Sequence, residues 1–200
     1  NLVLVSGSGT TTVSGEAAGL AQLTLQADNA AATGAVSFLD DLAAVSVVTF
    51  GRAYDISLLG ASTTVTQQMN FLNTGEIYLG DAADDVLVFT GGLIAAGNVT
   101  NPSQTNLGGV VRSDSQRIAL GAVTLTADSV LDTTNNGGSA GANIDLTGGI
   151  TGDFALECIT GTGTLTVLGA IEGGAVHLTG DQVTLDASIT GDSITIDGDV

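Results

Sequence analysis

The 200-residue chain has no lysine and no tryptophan, and only one cysteine, one histidine, one methionine and one proline. Each scarcity removes a class of protein. The lone Cys158 permits no intrachain disulfide and no cysteine metal cluster. A free cysteine packs as a small hydrophobe, so Cys158 is expected inside and inert. Three arginines, Arg52, Arg112 and Arg117, stand against 21 acids for a formal net charge of −18. Binding nucleic acid requires Lys and Arg to neutralise phosphates, so nucleic acid is not an expected partner. The longest nearly apolar run, Leu42 to Phe50, falls well short of the ~20 residues that cross a bilayer, and no membrane span is expected. Two tyrosines and five phenylalanines leave little material for an aromatic-centred core or for the stacking platforms of a sugar cleft.

What the chain does have is glycine and small or β-branched apolar residues: 29 glycines punctuate a sequence that is 44% hydrophobic. Such side chains suit a thin, closely layered sheet core. Short alternating segments recur between Gly, Asp, Asn and Ser, among them Leu2 to Val5, Leu23 to Leu25, Ile56 to Leu59, Glu76 to Leu79, Val86 to Phe89, Leu165 to Leu168 and Ser193 to Ile196. Only Asp40 to Val48 offers a helix signal, a turn or two behind an aspartate cap, and its β-branched tail argues against more. Hairpin stacks need Asn-Gly or Asp-Gly turns, and only Asn136-Gly137 and Asp197-Gly198 supply them. Thr-Gly and Gly-Asp steps such as Thr90-Gly91, Thr151-Gly152-Asp153 and Thr179-Gly180-Asp181 recur instead. These read as corners of a coil. The expected fold is all-β, a right-handed parallel β-solenoid, with tandem β-sandwich repeats as the alternative.

Asn1 to Leu25 and Ala155 to Thr179 align without a gap at an offset of 154, with nine identities that include Gly7/Gly161, Gly9/Gly163, Thr12/Thr166 and Gly15/Gly169. Repeats of this kind decide architecture before function. The expected organisation is a solenoid segment over 1–94, a projecting loop over 95–114 carrying Asn, Pro102 and paired glycines, and a second solenoid segment over 115–200. Residues 155–200 would begin a second copy of the 154-residue unit, which implies a window on a longer array, with any export signal outside it.

The run Arg117-Ile-Ala-Leu-Gly-Ala-Val-Thr-Leu-Thr-Ala-Asp-Ser-Val-Leu-Asp-Thr133, with Asn143-Ile-Asp-Leu-Thr-Gly-Gly-Ile150 and Gly161-Thr-Gly-Thr-Leu-Thr-Val-Leu-Gly169, resembles the repeats of giant bacterial β-strand-repeat exoproteins, similar in style to filamentous-haemagglutinin-type adhesins. The resemblance implies a very long secreted or surface-attached bacterial polypeptide whose repeats form an extended shaft. It brings no active-site residues with it.

Chemistry is sparse. His177 has no second histidine or cysteine to join it and reads as a side chain tolerated on a strand. Carboxylate pairs such as Asp40/Asp41 and Asp197/Asp199, together with Glu157 and Glu172, raise a polysaccharide-degrading β-helix enzyme, but few aromatics and arginines are present to grip a substrate. No enzyme is expected. Calcium accepts clustered Asp with turn carbonyls, which makes Asp81, Asp84, Asp85, Asp192, Asp197 and Asp199 the candidate metal ligands; the same residues equally solvate turns and block edge pairing. The sequence therefore reads as a structural repeat segment of a very large extracellular or cell-surface protein. Its expected partners are further coils of its own chain or a second copy stacked head to tail. An adhesin module binding surface glycans or a surface protein through the 95–114 region is the alternative.

Overall fold

The computed structural model describes residues 1–26 and 31–199. Among these residues there is no helix, and so none long and apolar enough to cross a membrane. The first strands are β1 (Leu2–Leu4), β2 (Thr10–Val13), β3 (Ala17–Leu25), β4 (Ala35–Phe38), β5 (Leu42–Val48), β6 (Asp55–Leu58) and β7 (Ser62–Val65). Next come β8 (Met69–Asn70), β9 (Glu76–Leu79), β10 (Val86–Phe89), β11 (Leu93–Ile94), β12 (Gln104–Arg112), β13 (Ile118–Leu120) and β14 (Val123–Asp132). The last are β15 (Ile144–Leu146), β16 (Ile150–Thr151), β17 (Leu156–Ile159), β18 (Thr164–Val167), β19 (Ile171–Glu172), β20 (Ala175–Leu185), β21 (Ile189–Thr190) and β22 (Ser193–Asp199).

All pairings between these strands are parallel, and none joins a strand to the next along the chain except where one strand bends round a corner. Parallel neighbours require the chain to travel away and return, and here it returns once per coil. The result is a parallel β-solenoid of about 9 turns, and the tandem-sandwich alternative is set aside. Following the register gives three ladders. The first face runs β2, β4, β6, β9, the start of β12, the start of β14, β16, β19 and β21. The second runs from the start of β5 through β7, β10, the end of β12, the end of β14 and β17 to the starts of β20 and β22. The third begins with β1 and the ends of β3 and β5, and continues through β8, β11, β13, β15, β18 and the end of β20.

The period-2 alternation of each strand sends one side chain in and the next out. On the first face Val36, Ile56, Ile77, Thr105, Val123, Ile150 and Ile171 stand in register and are buried. One continuous apolar core runs through all the coils. Its fully buried aromatics, Phe38, Tyr54, Phe71 and Phe89, all lie in the first half. There Leu23 pairs with Val47 and Leu87 with Val111, coils of 24 residues. Near the other end Leu165 pairs with Val183 and Ile171 with Ile189, coils of 18 residues, and the core there is Leu, Ile, Val and Cys158. Shorter coils enclose a narrower section, and smaller side chains fill it. Cys158 is fully buried, and burial pushes its thiol up to about 12.

Threonine and glycine make the corners. Thr49 Oγ1 donates to the Asn70 carbonyl at 2.7 Å and accepts from the Leu72 amide at 2.9 Å, so one hydroxyl satisfies two backbone groups that leave the ladder at a bend. Thr133 does the same for both backbone groups of Ala142, and Thr160 Oγ1 donates to the Gly163 carbonyl.

Two expectations change. Asp40 to Val48 forms no helical turn: Leu42–Val48 is β5, with Leu42 and Ala44 inward and the β-branched Val45, Val47 and Val48 in extended backbone. The stretch 95–114 is also no wholly projecting loop, because Gln104–Arg112 is β12, hydrogen-bonded between β9 and β10 on one side and β14 on the other. Alternate burial of Thr105 and Leu107 outweighs the polar Asn106, and the paired glycines turn the strand from the first face to the second. Outside the strands remain 95–103, tied to the shaft by Asn98 Nδ2 donating to the Ile94 carbonyl and Thr100 Oγ1 donating to the Leu72 carbonyl. The 154-residue alignment crosses faces. Leu4 lies on the third face and Cys158 on the second, Thr12 on the first and Thr166 on the third. Strand-and-corner wording recurs at that offset, displaced by one face.

Candidate functional site

The acids are unevenly placed. Asp40 and Asp41, Asp81, Asp84 and Asp85, Asp128, Asp153 and Asp192 all fall in connections that lead from the first face to the second, so they line one long edge of the prism. No arginine lies in those connections. Arg112 pairs with Asp132 on the second face and Arg117 with Asp145 on the third.

The six sequence candidates for calcium are not brought together. Asp85 is buried, and its Oδ2 accepts the amides of Asp81 and Ala82 at 2.9 and 3.1 Å, an Asx-type turn that holds the corner before β10. Asp81 and Asp84 are exposed on that turn; desolvation first, then the charge of Asp85, pushes the Asp81 carboxyl upward. Asp192 sits at the corner before β22, while Asp197 and Asp199 lie along β22 itself. Among the described residues no three His, Cys, Asp or Glu side chains form a group able to hold a metal ion. The carboxylates weighed as catalytic pairs also serve the backbone: Asp41 Oδ1 accepts the Ser62 amide at 2.8 Å and Asp40 Oδ1 the Asp41 amide at 2.8 Å.

Three arrangements escape a reading of the sequence. The first is Asp132, nearly fully buried, whose Oδ1 accepts the Thr134 amide and hydroxyl at 2.7 and 2.6 Å while Oδ2 accepts the Asn136 amide at 2.6 Å. The Arg112 guanidinium lies beside it at 3.6 Å. This set locks the turn at Asn135 and Asn136, and those donors lie only two and four residues away, so a local signal existed. The second is on the first face, where Tyr78 Oη donates to Glu76 Oε2 at 2.7 Å and Asn106 Nδ2 donates to the same oxygen at 3.0 Å.

That bond to Glu76, with desolvation second, pushes Tyr78 up to about 12, and burial pushes Tyr54 up as well. A tyrosine whose native value exceeds the unfolded value of about 10 contributes stability that is complete below pH 10 and is lost as pH rises through 12. With only two tyrosines and no tryptophan, absorbance at 295 nm reads this directly. The native protein is expected to show little tyrosinate at pH 10.5, where an unfolded control is mostly ionised. Glu76→Gln should bring one of the two back toward 10; an unshifted titration in that variant would remove Glu76 as the cause.

The third arrangement is on the second face, where His177 stands between two carboxylates from the neighbouring coils. His177 Nδ1 lies 3.3 Å from Glu157 Oε1, and Nε2 lies 2.9 Å from Asp197 Oδ2 and 3.2 Å from Thr179 Oγ1. The carboxylates occupy opposite edges of the ring, which is why three potential ligands do not make a metal site. They stand twenty residues before and after His177 in sequence, one coil each way. A hollow of about 280 Å3 opens beside it, lined by Asp128, Val130, Ala155, Glu157, Ala175 and His177.

The stacked-coil architecture is compatible with β-helix repeat proteins. No family model, curated protein or solved structure matches the chain.

Proposed function

We propose that this chain is a structural repeat segment of a very large secreted or cell-surface protein, and that its work is to give length to an extended shaft or extracellular filament. The observation that carries the reading is the uninterrupted core: one apolar column passes through all nine turns, with each coil hydrogen-bonded to its neighbours along three faces. A solenoid is stable by contacts between neighbouring repeats, so such a column can be lengthened without changing its section. At about 4.8 Å per coil the segment contributes roughly 40 Å of shaft. A charge of −18 keeps such shafts apart in solution and is best tolerated in saline surroundings, where it is screened within about 8 Å.

In this reading the strand edges at the two ends of the stack meet further coils, of the same chain or of a second copy. Partly exposed core side chains stand there, Leu2, Leu4 and Val13 at one end and Leu185, Ile189 and Ile196 at the other. Calcium bridging of the acidic edge belongs to the same proposal. A second reading, an adhesin contact to surface glycans or a surface protein, is favoured by one feature: Val99, at the tip of 95–103, is fully exposed.

Electron microscopy of the purified protein with and without a calcium chelator tests the shaft reading. Long filaments of uniform narrow width are expected, and their loss on chelation would place cations between copies. Separate compact particles in both conditions would overturn the assembly.

A further inference from the structure

We propose that His177, with Glu157 and Asp197, is a proton-operated clamp that ties three successive coils together on the second face. The inference stands on side-chain geometry and does not depend on the shaft reading.

The backbone register sets the arrangement. Glu157 of β17 is the direct partner of His177 in β20, and Thr195 of β22 is its partner on the other side. The ring leans one step along β22 to meet Asp197, whose own partner is Thr179. Glu157 from one coil and Asp197 from the next therefore face opposite nitrogens, with Thr179 on the same strand beside Nε2. Asp128 is the further acid, across the shared hollow. Asp181 and Asp199 lie farther along the same two strands, and no arginine stands on β17, β20 or β22.

The two protonation states of imidazole do different things in this slot. The imidazolium carries N–H on both nitrogens and donates to both carboxylates at once, and its charge offsets two negative ones. Neutral imidazole has a single N–H, so one carboxylate must face a ring lone pair, and two anions from adjacent coils are left uncompensated. Histidine is the side chain that changes charge between about pH 5 and 8, a range in which ordinary carboxylates stay ionised. Taking up one proton therefore tightens the β17–β20–β22 ladder, and losing it loosens β22 first. In β22, unlike the mid-shaft β12, most side chains are exposed, so it has little core contact to mask the change.

Hydrogen–deuterium exchange read by mass spectrometry tests the clamp, with rates corrected for the intrinsic pH dependence of exchange. In the native chain, protection of Ser193–Asp199 should fall about fivefold between pH 5.5 and pH 8, the size expected of exposed ion pairs. Protection of Gln104–Arg112 should stay constant. His177→Gln, a surface change that keeps hydrogen-bonding capacity, should make protection of β22 independent of pH, and Asp197→Asn should reduce the dependence. The general relief of acidic repulsion at lower pH is common to all three proteins and cancels in the comparison. PH-independent protection in the native chain, or the same fall in His177→Gln, overturns the proposal.

Discussion

Truncating Phe89 to alanine is expected to lower the unfolding free energy by about 3–5 kcal/mol, the range for deleting a fully buried ring. Phe89 has no exposed surface and stands at the inner side of β10, paired in register with Val65 of the coil before. The hole cannot close by sliding, because every coil is pinned to its neighbours by ladders on three faces. Phe89→Leu keeps most of the volume and should cost less than about 1.5 kcal/mol. Denaturant unfolding followed by far-ultraviolet circular dichroism measures both. Because coils interact only with neighbours, the alanine variant should also lose two-state behaviour, with the narrow and wide ends melting separately. A single transition at the unchanged midpoint would show that Phe89 is not part of a continuous core.

The second large effect is at a corner. Gly161 has φ +58°, and a Cβ added there would stand 2.2 Å from the carbonyl oxygen of Ala140 in the coil before. Backbone occupies that space, so no side chain can swing away. Gly161→Ala is therefore expected to cost about 3 kcal/mol or more, the left-handed strain adding to a collision that forces two coils apart. Gly97 provides the control: its φ is +80° but nothing lies within 4 Å of the added carbon. Gly97→Ala should cost only the strain, about 1–2 kcal/mol. Equal losses at the two positions would mean that coil spacing is not what Gly161 protects.

Much of the solenoid could be read in the sequence because its two ingredients are local. Alternation such as Val86-Leu87-Val88-Phe89 specifies a strand with one buried side, and Thr160-Gly161 specifies a bend whose hydroxyl caps freed backbone groups. Gly7, aligned with Gly161 across 154 residues, shares its left-handed backbone at φ +62°. What could not be read is whatever depends on which coil lies above which. Coil length varies from 24 residues at Leu87/Val111 to 18 at Leu165/Val183, so no fixed spacing assigns neighbours. Hence β12 was hidden behind Asn106 and its paired glycines. His177 read as a solitary histidine until the pairing of β17, β20 and β22 placed a carboxylate on each side. The aspartates at 81, 84 and 85 were legible as a dense acidic turn. Only the folded chain shows that Asp85 spends its carboxylate on the backbone of that turn.

The hydrogen bonds between parallel strands lie across the strands, which in this molecule means along the shaft. Tension applied end to end therefore loads those bonds directly and one coil after another, in the manner of a seam pulled open rather than a rod pulled apart. Each coil that yields frees its length of chain: 18 residues at Leu165/Val183, or roughly 60 Å when drawn straight, against about 4.8 Å while folded. A shaft of this construction would be stiff against bending and extensible by more than tenfold under load. The narrow coils would pay out the shorter lengths and the wide, aromatic-filled coils the longer ones, so the tether would absorb a sudden pull in many small steps before it failed.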